Sequence, residues 1–314
     1  MNHSATLPQK FLIVIVGPTA VGKTSLAIDL ARIFGAEIIS ADSRQFFKEL
    51  RIGSAAPHLH QLKTVPHYFI GHLNVTDNYN VYRFESDVLE LLEILYLKMS
   101  HVIMTGGSGL YIDAVCHGID ELPDPDPLVR QNLLERYAKE GIAAIQNELA
   151  ESDPAYYKVV DKNNPKRLIR ALEVCNITGK KYSDLRLNKP KIRNFEVIKI
   201  GLDLPREELF NRINNRVDNM INMGLVGEAS SLIPFRHLNA LNTVGYKEIF
   251  KYLDGELSLD RAIEKIKTDS RHYAKRQLTW FKRDVDTRWF KPDQMSEIID
   301  YIKERSAGLG ILVS

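Results

Sequence analysis

Short apolar runs alternate with longer amphipathic segments over much of the chain. Runs of about four to eight apolar, often β-branched residues are typical of strands buried on both faces. The predicted strands are Phe11–Val16, Glu37–Ser40, His101–Thr105 and Glu196–Leu204. Helical spacing of apolar residues occurs between them, as at 24–34 and Arg83–Lys98. This alternation predicts an α/β fold, a parallel sheet flanked by helices with right-handed crossovers.

The alternation stops at a proline-rich connector, Leu122–Pro127, which reads LPDPDP. From Leu128 to Arg186 every periodic segment is helical. The predicted helices there are 128–139, 141–151 and 165–178. A second breaker, Asn188–Pro190, precedes the return of the strand pattern at 196.

We therefore predict two domains. An α/β core comprises residues 1–121 and 191–314, and an all-helical insertion domain comprises 122–190. The core ends in amphipathic helices, predicted at Arg206–Met223 and Leu259–Lys282.

Composition narrows the class of protein. The 314 residues are 44% hydrophobic and 26% charged, which is ordinary for a globular domain, and the N-terminus lacks an apolar signal core. The longest apolar run, Phe11–Val16, is far too short to span a bilayer. Only two cysteines are present, so neither a disulfide framework nor a cysteine metal cluster is indicated. We expect a cytoplasmic protein without a membrane partner.

Charge is distributed unevenly although the net charge is only +2. Ten Lys and Arg residues face three Asp and Glu residues between Asp161 and Arg193, and seven face one between Lys265 and Arg283. Two such patches favour a polyanionic partner. The alternative for either patch is an ordinary solvated helix face.

The strongest motif follows the first predicted strand and opens a helix. It fits the phosphate-loop pattern G-x-x-x-x-G-K-[ST] at Gly17, Pro18, Thr19, Ala20, Val21, Gly22, Lys23 and Thr24. Backbone amides of such a loop and of the helix N-terminus converge on an anion. Lys23 adds positive charge, and the Thr24 hydroxyl can ligate Mg²⁺. The motif predicts a nucleotide-binding type of site for a di- or triphosphate, of the kind that binds ATP.

A carboxylate follows the second predicted strand, at Asp42 in the sequence Asp42-Ser43-Arg44-Gln45. Because carboxyl ends of parallel strands face the ligand crevice, we expect Asp42 near the phosphate loop. A carboxylate there can accept a proton from a nucleophile or hold Mg²⁺. The alternative is an ordinary turn or helix-capping aspartate.

Glycines follow the third predicted strand, in the segment Thr105–Tyr111 (TGGSGLY). They allow close backbone approach, and the Ser108 hydroxyl can contact an anion. An ATPase would place a Mg²⁺-binding carboxylate here, so Thr105 and the glycines argue against routine ATP hydrolysis.

Near the C-terminus, Arg271–Arg283 mixes basic and aromatic residues on one helix, which suits contact with nucleic acid.

These motifs, in this order, resemble the tRNA dimethylallyltransferase (tRNA isopentenyltransferase) family. The resemblance covers about residues 11–283. It rests on GPTAVGKT, ADSRQ, GGSGLY, Asp153-Pro154, Asn164–Val174, Gly201-Leu202, Arg206–Leu209, Arg212-Ile213, Arg216-Val217, Met220-Ile221, Gly224-Leu225, Val244–Glu248 and Ala274–Trp280. The family implies a P-loop NTPase-like core.

The resemblance implies an activity: transfer of a dimethylallyl group from dimethylallyl diphosphate to N6 of the adenosine 3′ to the anticodon of tRNA. The phosphate loop would then hold a diphosphate leaving group. Asp42 would be the general base, while Lys23 and Thr24 would serve the diphosphate and its Mg²⁺. Ser108 stands where the family usually has Thr and would also contact the diphosphate. Members of the family grip the anticodon stem-loop, and we expect a monomer.

By motif position, the resemblance also implies a set of tRNA contacts. They are Asp42, Ser43, Arg44, Gln45, Ser108, Arg130, Lys166, Arg167, Leu168, Ile169, Arg170, Asn242, Thr243, Val244, Gly245, Tyr246, Lys247, Lys275, Arg276, Gln277 and Lys282. Many relatives carry Arg just before the VGY stretch, near the diphosphate, where this chain has Asn242. Which residue supplies that charge stays open.

Two other functions share some of these features. A small-molecule kinase would use the same loop and an Asp after the second strand, but it would consume ATP. An RNA-binding protein with a vestigial nucleotide site would bind tRNA and form no product.

Overall fold

The computed structural model describes residues 9–187 and 189–307. Its sheet has six strands, all parallel, in the order β3-β2-β4-β1-β5-β6. The strands are β1 (Phe11–Val16), β2 (Ile38–Ser40), β3 (His67–Tyr68), β4 (His101–Thr105), β5 (Glu196–Leu202) and β6 (Arg288–Phe290). The predicted α/β class is thereby confirmed. The pattern missed β3 and β6, edge strands of two and three residues that are too short to show a period.

Helices occupy most of the remaining described residues. They are α1 (Lys23–Phe34), α2 (Leu59–Thr64), α3 (Val81–Leu95), α4 (Gly109–His117), α5 (Pro127–Glu140), α6 (Ile142–Ser152), α7 (Pro154–Val159), α8 (Pro165–Thr178), α9 (Tyr182–Leu185), α10 (Arg206–Asn222), α11 (Leu225–Ser231), α12 (Tyr246–Leu253), α13 (Leu259–Phe281) and α14 (Met295–Ala307). Among these described helices, we find none with the length and apolar character needed to cross a bilayer.

The chain forms two compact units, one made of the residues through Cys116 and from Ile192 onward, the other of His117–Lys191. Asn188, part of the second predicted breaker, lies outside the described residues, as do both ends of the chain, 1–8 and 308–314. Cys116 and Cys175 are free and buried.

In the α/β unit, side chains of β1 alternate between two apolar cores. Leu12, Val14 and Val16 join a core with α3, whereas Ile13 and Ile15 join a core with α1 and α14. Alternation of side chains along a strand places these cores on opposite faces of the sheet. Helices therefore cover both faces, which leaves the carboxyl edge of the strands for the ligand site.

The helical unit has its own core, built from α5, α6, α7, α8 and α9. Buried Glu173 in α8 accepts hydrogen bonds from Arg170 at 2.7 Å and from Arg130 at 3.4 Å. Removal of either arginine would leave Glu173 less fully compensated, so both have a structural role within this unit.

Candidate active site

A pocket of about 590 Å³ opens at the carboxyl edge of the sheet, between the loops that follow β1, β2 and β4. Its walls come from several segments of the α/β unit that are far apart in sequence. They are Thr19 and Ala20 with Gly22–Ser25, Asp42–Gln45 with Gly53–Ala55, Thr105–Gly107, and residues of α10, of α13 and of Asn242–Gly245 with Lys247. The sheet therefore gathers most of the predicted motifs of this unit around one cavity.

The phosphate loop begins at a position that only glycine can occupy. Gly17 has φ of 145°, and a Cβ there would lie 2.5 Å from the Leu202 carbonyl oxygen. Gly22, with φ of 112°, caps α1. The Lys23 Nζ donates to the carbonyl oxygens of Gly17 and Pro18 at 2.9 and 2.8 Å. The strand, loop and helix thus have the geometry of an anion site at a helix N-terminus.

Two partly buried cations, Lys23 and Arg216, lie in the pocket with the Asp42 carboxylate. Burial and, to a smaller extent, the Arg216 charge lower the pKa of Lys23 to about 7, while Asp42 opposes the shift. Burial likewise lowers the pKa of Arg216, whose Nη1 donates to the Thr19 hydroxyl at 3.0 Å. An anion bound beside these groups would compensate the excess positive charge and favour the charged form of Lys23.

Arg216 was missing from the predicted site residues. It lies in α10, whose amphipathic pattern indicates only a core-facing helix, although the motif Arg216-Val217 belongs to the resemblance. Asn242 also lines the pocket, and Arg216 provides a guanidinium there that Asn242 cannot.

Asp42 makes a turn contact and also lines the pocket, while its predicted role as a base or Mg²⁺ ligand stays a prediction. Its Oδ1 accepts a hydrogen bond from the Arg44 amide at 3.0 Å, which is a local turn contact. The same side chain lines the pocket and interacts electrostatically with Lys23 and Arg216. One carboxylate oxygen thus orients the group, and the other is available for chemistry in the cavity.

The glycine segment after β4 packs tightly against the segment before Asp42. A Cβ on Gly106 would lie 2.2 Å from the Ala41 carbonyl oxygen, so only glycine fits there. The Ser108 hydroxyl accepts from the Ser43 amide at 3.0 Å and lies 3.2 Å from the Ser43 hydroxyl. Ser108 therefore joins two loops of the site, while its predicted contacts with diphosphate and tRNA stay predictions.

A carboxylate clamp, formed by Glu228, supports the pocket wall at Gly53–Ala55. Glu228 accepts from the amides of Arg51, Ile52 and Gly53 at 3.1, 2.8 and 2.9 Å. It also accepts from the Tyr246 hydroxyl at 2.6 Å. Tyr246 is fully buried, and a Cβ on Gly53 would lie 2.5 Å from its ring. Tyr246, predicted to contact tRNA, therefore lies behind this wall.

Replacing Glu228 with glutamine is expected to lower the free energy of unfolding by about 2 kcal/mol, because charge-assisted hydrogen bonds to three backbone amides and the buried Tyr246 hydroxyl are weakened or lost. Urea unfolding of the purified variant measures the change. Glu256→Gln, which alters an exposed ion pair with Lys251, serves as the control and should stay within about 0.5 kcal/mol of the parent. Equal stability of the two variants would contradict the clamp.

Other predicted tRNA contacts in the α/β unit lie at or near the pocket. The Arg44 guanidinium donates to the Asn239 carbonyl oxygen, and the Gln45 side-chain Nε2 donates to the carbonyl oxygens of Ser54 and Ala55. The lining also includes Ser43, Asn242, Thr243, Val244, Gly245, Lys247, Arg276 and Gln277.

Residues of α13 near its C-terminal end make contacts within the protein. Gln277 is buried and hydrogen-bonded to two loops, and the Trp280 Nε1 donates to Asp113 at 2.9 Å. Lys282 pairs with Asp203, whereas exposed Lys275 lies over the Phe210 ring. Gln277 and Trp280 thus support the site through contacts within the protein.

In the helical unit, the predicted contacts divide by burial. Leu168 and Ile169 belong to its apolar core, so a contact with tRNA through these side chains would require the core to open. Lys166 and Arg167 are exposed at the start of α8. The exposed pair therefore offers the accessible charge of this segment.

A phosphate loop between a parallel strand and a helix, with a carboxylate at the neighbouring strand end, defines a P-loop protein. A family model described as IPP transferase matches residues 45–284. The chain belongs to this IPP transferase family.

Two proteins that are similar in sequence are named for the same activity. The tRNA dimethylallyltransferase 1 of Phocaeicola vulgatus is 56% identical over 291 residues, 93% of this chain and 97% of the relative. The tRNA dimethylallyltransferase 1 of Bacteroides thetaiotaomicron is 52% identical over 292 residues, 93% of this chain and 95% of the relative.

Two solved structures are also similar. The full-length tRNA isopentenylpyrophosphate transferase of Bacillus halodurans is 34% identical with a TM-score of 0.70, over 96% of this chain and 99% of that protein. A eukaryotic dimethylallyltransferase, described as acting on tRNA, is 26% identical with a TM-score of 0.75, over 95% of this chain and 78% of that protein. The family named from the sequence motifs is thus confirmed.

Proposed function

We propose that this protein transfers a dimethylallyl group from dimethylallyl diphosphate to N6 of the adenosine 3′ to the anticodon in tRNA. The products are N6-dimethylallyladenosine and diphosphate. Membership of the IPP transferase family and the names of the relatives support this activity. The observation that carries it is the pocket itself, where a phosphate loop, two partly buried cations and one carboxylate meet.

The phosphate loop holds the leaving group. As the allylic C–O bond breaks, its electron pair stays on the diphosphate and adds negative charge. Loop amides, Lys23 and Arg216 are positioned to stabilise that charge in a partly desolvated pocket. The absence of an ATPase-type carboxylate after β4 agrees with this role, since no phosphoryl group is transferred.

Asp42 receives the proton. The adenine N6 attacks the allylic carbon, a C–N bond forms, and N6 becomes acidic as it loses electron density. A carboxylate whose Oδ1 is held by the Arg44 amide can accept that proton without reorientation. The proton passes from N6 to Asp42 while the diphosphate departs with the electron pair, so charge and atoms balance.

Magnesium is a proposed cofactor that arrives with the diphosphate. Among the described residues no cluster of three or more His, Cys, Asp or Glu could hold a metal ion. Among the residues that line the pocket, the Thr24 hydroxyl and the Asp42 carboxylate would hold the ion. Because Mg²⁺ favours one or two protein ligands together with substrate phosphates and water, this donor set fits. When bound, the ion would neutralise charge on the diphosphate.

The adenosine has to leave the anticodon stack to reach such a pocket, at a cost of about a few kcal/mol. In the α/β unit, Arg44, Lys247 and Arg276 provide positive charge at the pocket for the tRNA backbone. In the helical unit, exposed Lys166 and Arg167 are the proposed contacts. We propose a cytoplasmic monomer, since one chain supplies every group that the reaction uses.

Mass spectrometry of digested tRNA tests the activity. The purified protein, unmodified tRNA and dimethylallyl diphosphate should yield adenosine with one added C5H8 unit. Parallel incubation with labelled ATP should leave ATP intact. ATP consumption without the added unit would favour a kinase, and tRNA binding without either product would favour a non-catalytic RNA-binding protein.

A further inference from the structure

The side chain of Gln277 bridges two loops of the pocket. Its Nε2 donates to the Gly107 carbonyl oxygen at 3.0 Å, and its Oε1 accepts from the Thr19 amide at 2.8 Å. Thr19 and Gly107 follow β1 and β4, which are neighbours in the sheet. We propose that Gln277 is a positioning residue that fixes the separation of these loops, and that it makes no contact with RNA. The inference rests on the proposed function.

Burial separates Gln277 from its neighbours on α13. Its relative exposure is 5%, whereas Lys275 and Arg276 are exposed. Both ends of the Gln277 amide already have partners within the protein, so an RNA group would have to displace one of them. The resemblance assigns all three residues to tRNA binding, but only Lys275 and Arg276 are exposed, whereas Gln277 is buried.

One bridged loop contacts the proposed diphosphate site, and the other lies beside the proposed general base. The Thr19 hydroxyl accepts a hydrogen bond from Arg216, which lines the pocket at the proposed diphosphate site. On the other side, a Cβ on Gly107 would lie 3.4 Å from the Asp42 Oδ2 and only 2.4 Å from the Gln277 Nε2. Gln277 therefore sets the distance between the leaving-group site and the general base.

This distance matters because the nucleophile, the allylic carbon and the leaving oxygen have to align. A displacement of about 1 Å can cost about 100-fold in rate. Tyr273 also donates to the Gly107 carbonyl oxygen, at 3.3 Å, so the Gly107 loop keeps one support when Gln277 changes. Loss of the Gln277 bridge should accordingly slow the reaction and leave the fold intact.

The test is Gln277→Met, which keeps the length of the side chain and removes both hydrogen bonds. Under single turnover, the rate of dimethylallyl transfer should fall about 10- to 100-fold, while the Kd for tRNA stays within about twofold of the parent. An RNA contact would give the reverse, a raised Kd with an unchanged rate, and would overturn the inference. An unchanged rate and Kd would also overturn it.

A second variant and two controls complete the design. Gln277→Glu keeps an acceptor for the Thr19 amide but has no donor for Gly107, so its rate should fall too even where the Met variant unfolds. Glu264→Gln, an exposed change on the same helix, should match the parent in rate and unfolding midpoint. Lys275→Ala should raise the Kd for tRNA. If the parent itself binds tRNA and transfers nothing, the proposed function fails, whatever the variants do.

Discussion

Replacing Asp42 with alanine is expected to lower kcat by about two to four orders of magnitude while tRNA affinity is retained. The reason is that Asp42 is the carboxylate at the pocket that can accept the N6 proton, and the Arg44 amide holds it in place. Single-turnover transfer to tRNA and a filter-binding measurement of Kd give the two quantities separately.

Asp42→Asn sharpens this test, because asparagine keeps the turn contact with Arg44 and cannot act as a base at neutral pH. It should be as slow as the alanine variant. Asp254→Ala, which removes an exposed ion pair with Arg236, is the control and should keep the parent rate. Parental turnover of Asp42→Asn would remove Asp42 from the mechanism.

Replacing Arg216 with glutamine is expected to lower kcat/KM for dimethylallyl diphosphate by about two to three orders of magnitude, an effect typical of losing a charge-stabilising donor. Glutamine is two bonds shorter than arginine, so the variant loses the hydrogen bond to the Thr19 hydroxyl together with the partly buried positive charge. Titration with inorganic diphosphate should show a matching loss of affinity.

The control for Arg216 is Arg206→Gln, an exposed arginine on the same helix. It should leave diphosphate affinity at the parent value. If Arg216→Gln instead weakened tRNA binding and bound diphosphate normally, Arg216 would be a tRNA contact. The proposed diphosphate site would then need another cation.

Local patterns predicted much of the architecture. The phosphate loop is specified by eight consecutive residues, and the strand and helix beside it have strong periodicity, so both were predictable. The location of Asp42 near the phosphate loop was predictable, because the carboxyl ends of parallel strands meet at one edge of the sheet. Strands β3 and β6 were missed because a pair or triplet of residues at a sheet edge carries no period.

Contacts distant in sequence supply what the patterns could not predict. Glu228 holds the amides of 51–53, Gln277 reaches Thr19 and Gly107, and Arg216 enters the pocket from α10. Each of these residues lies on an amphipathic helix, where spacing indicates only the buried face. Tyr246 shows the same limit, because its motif predicts contact with tRNA and only the packing reveals its burial.

The most direct test of the account is a structure of the protein with tRNA and a non-reactive thiol analogue of dimethylallyl diphosphate. We predict that the diphosphate lies in the loop Gly17–Thr24 beside Arg216, with the flipped adenine N6 within about 3 Å of the Asp42 carboxylate. A diphosphate bound elsewhere, or an adenine amine remote from Asp42, would contradict the central claim.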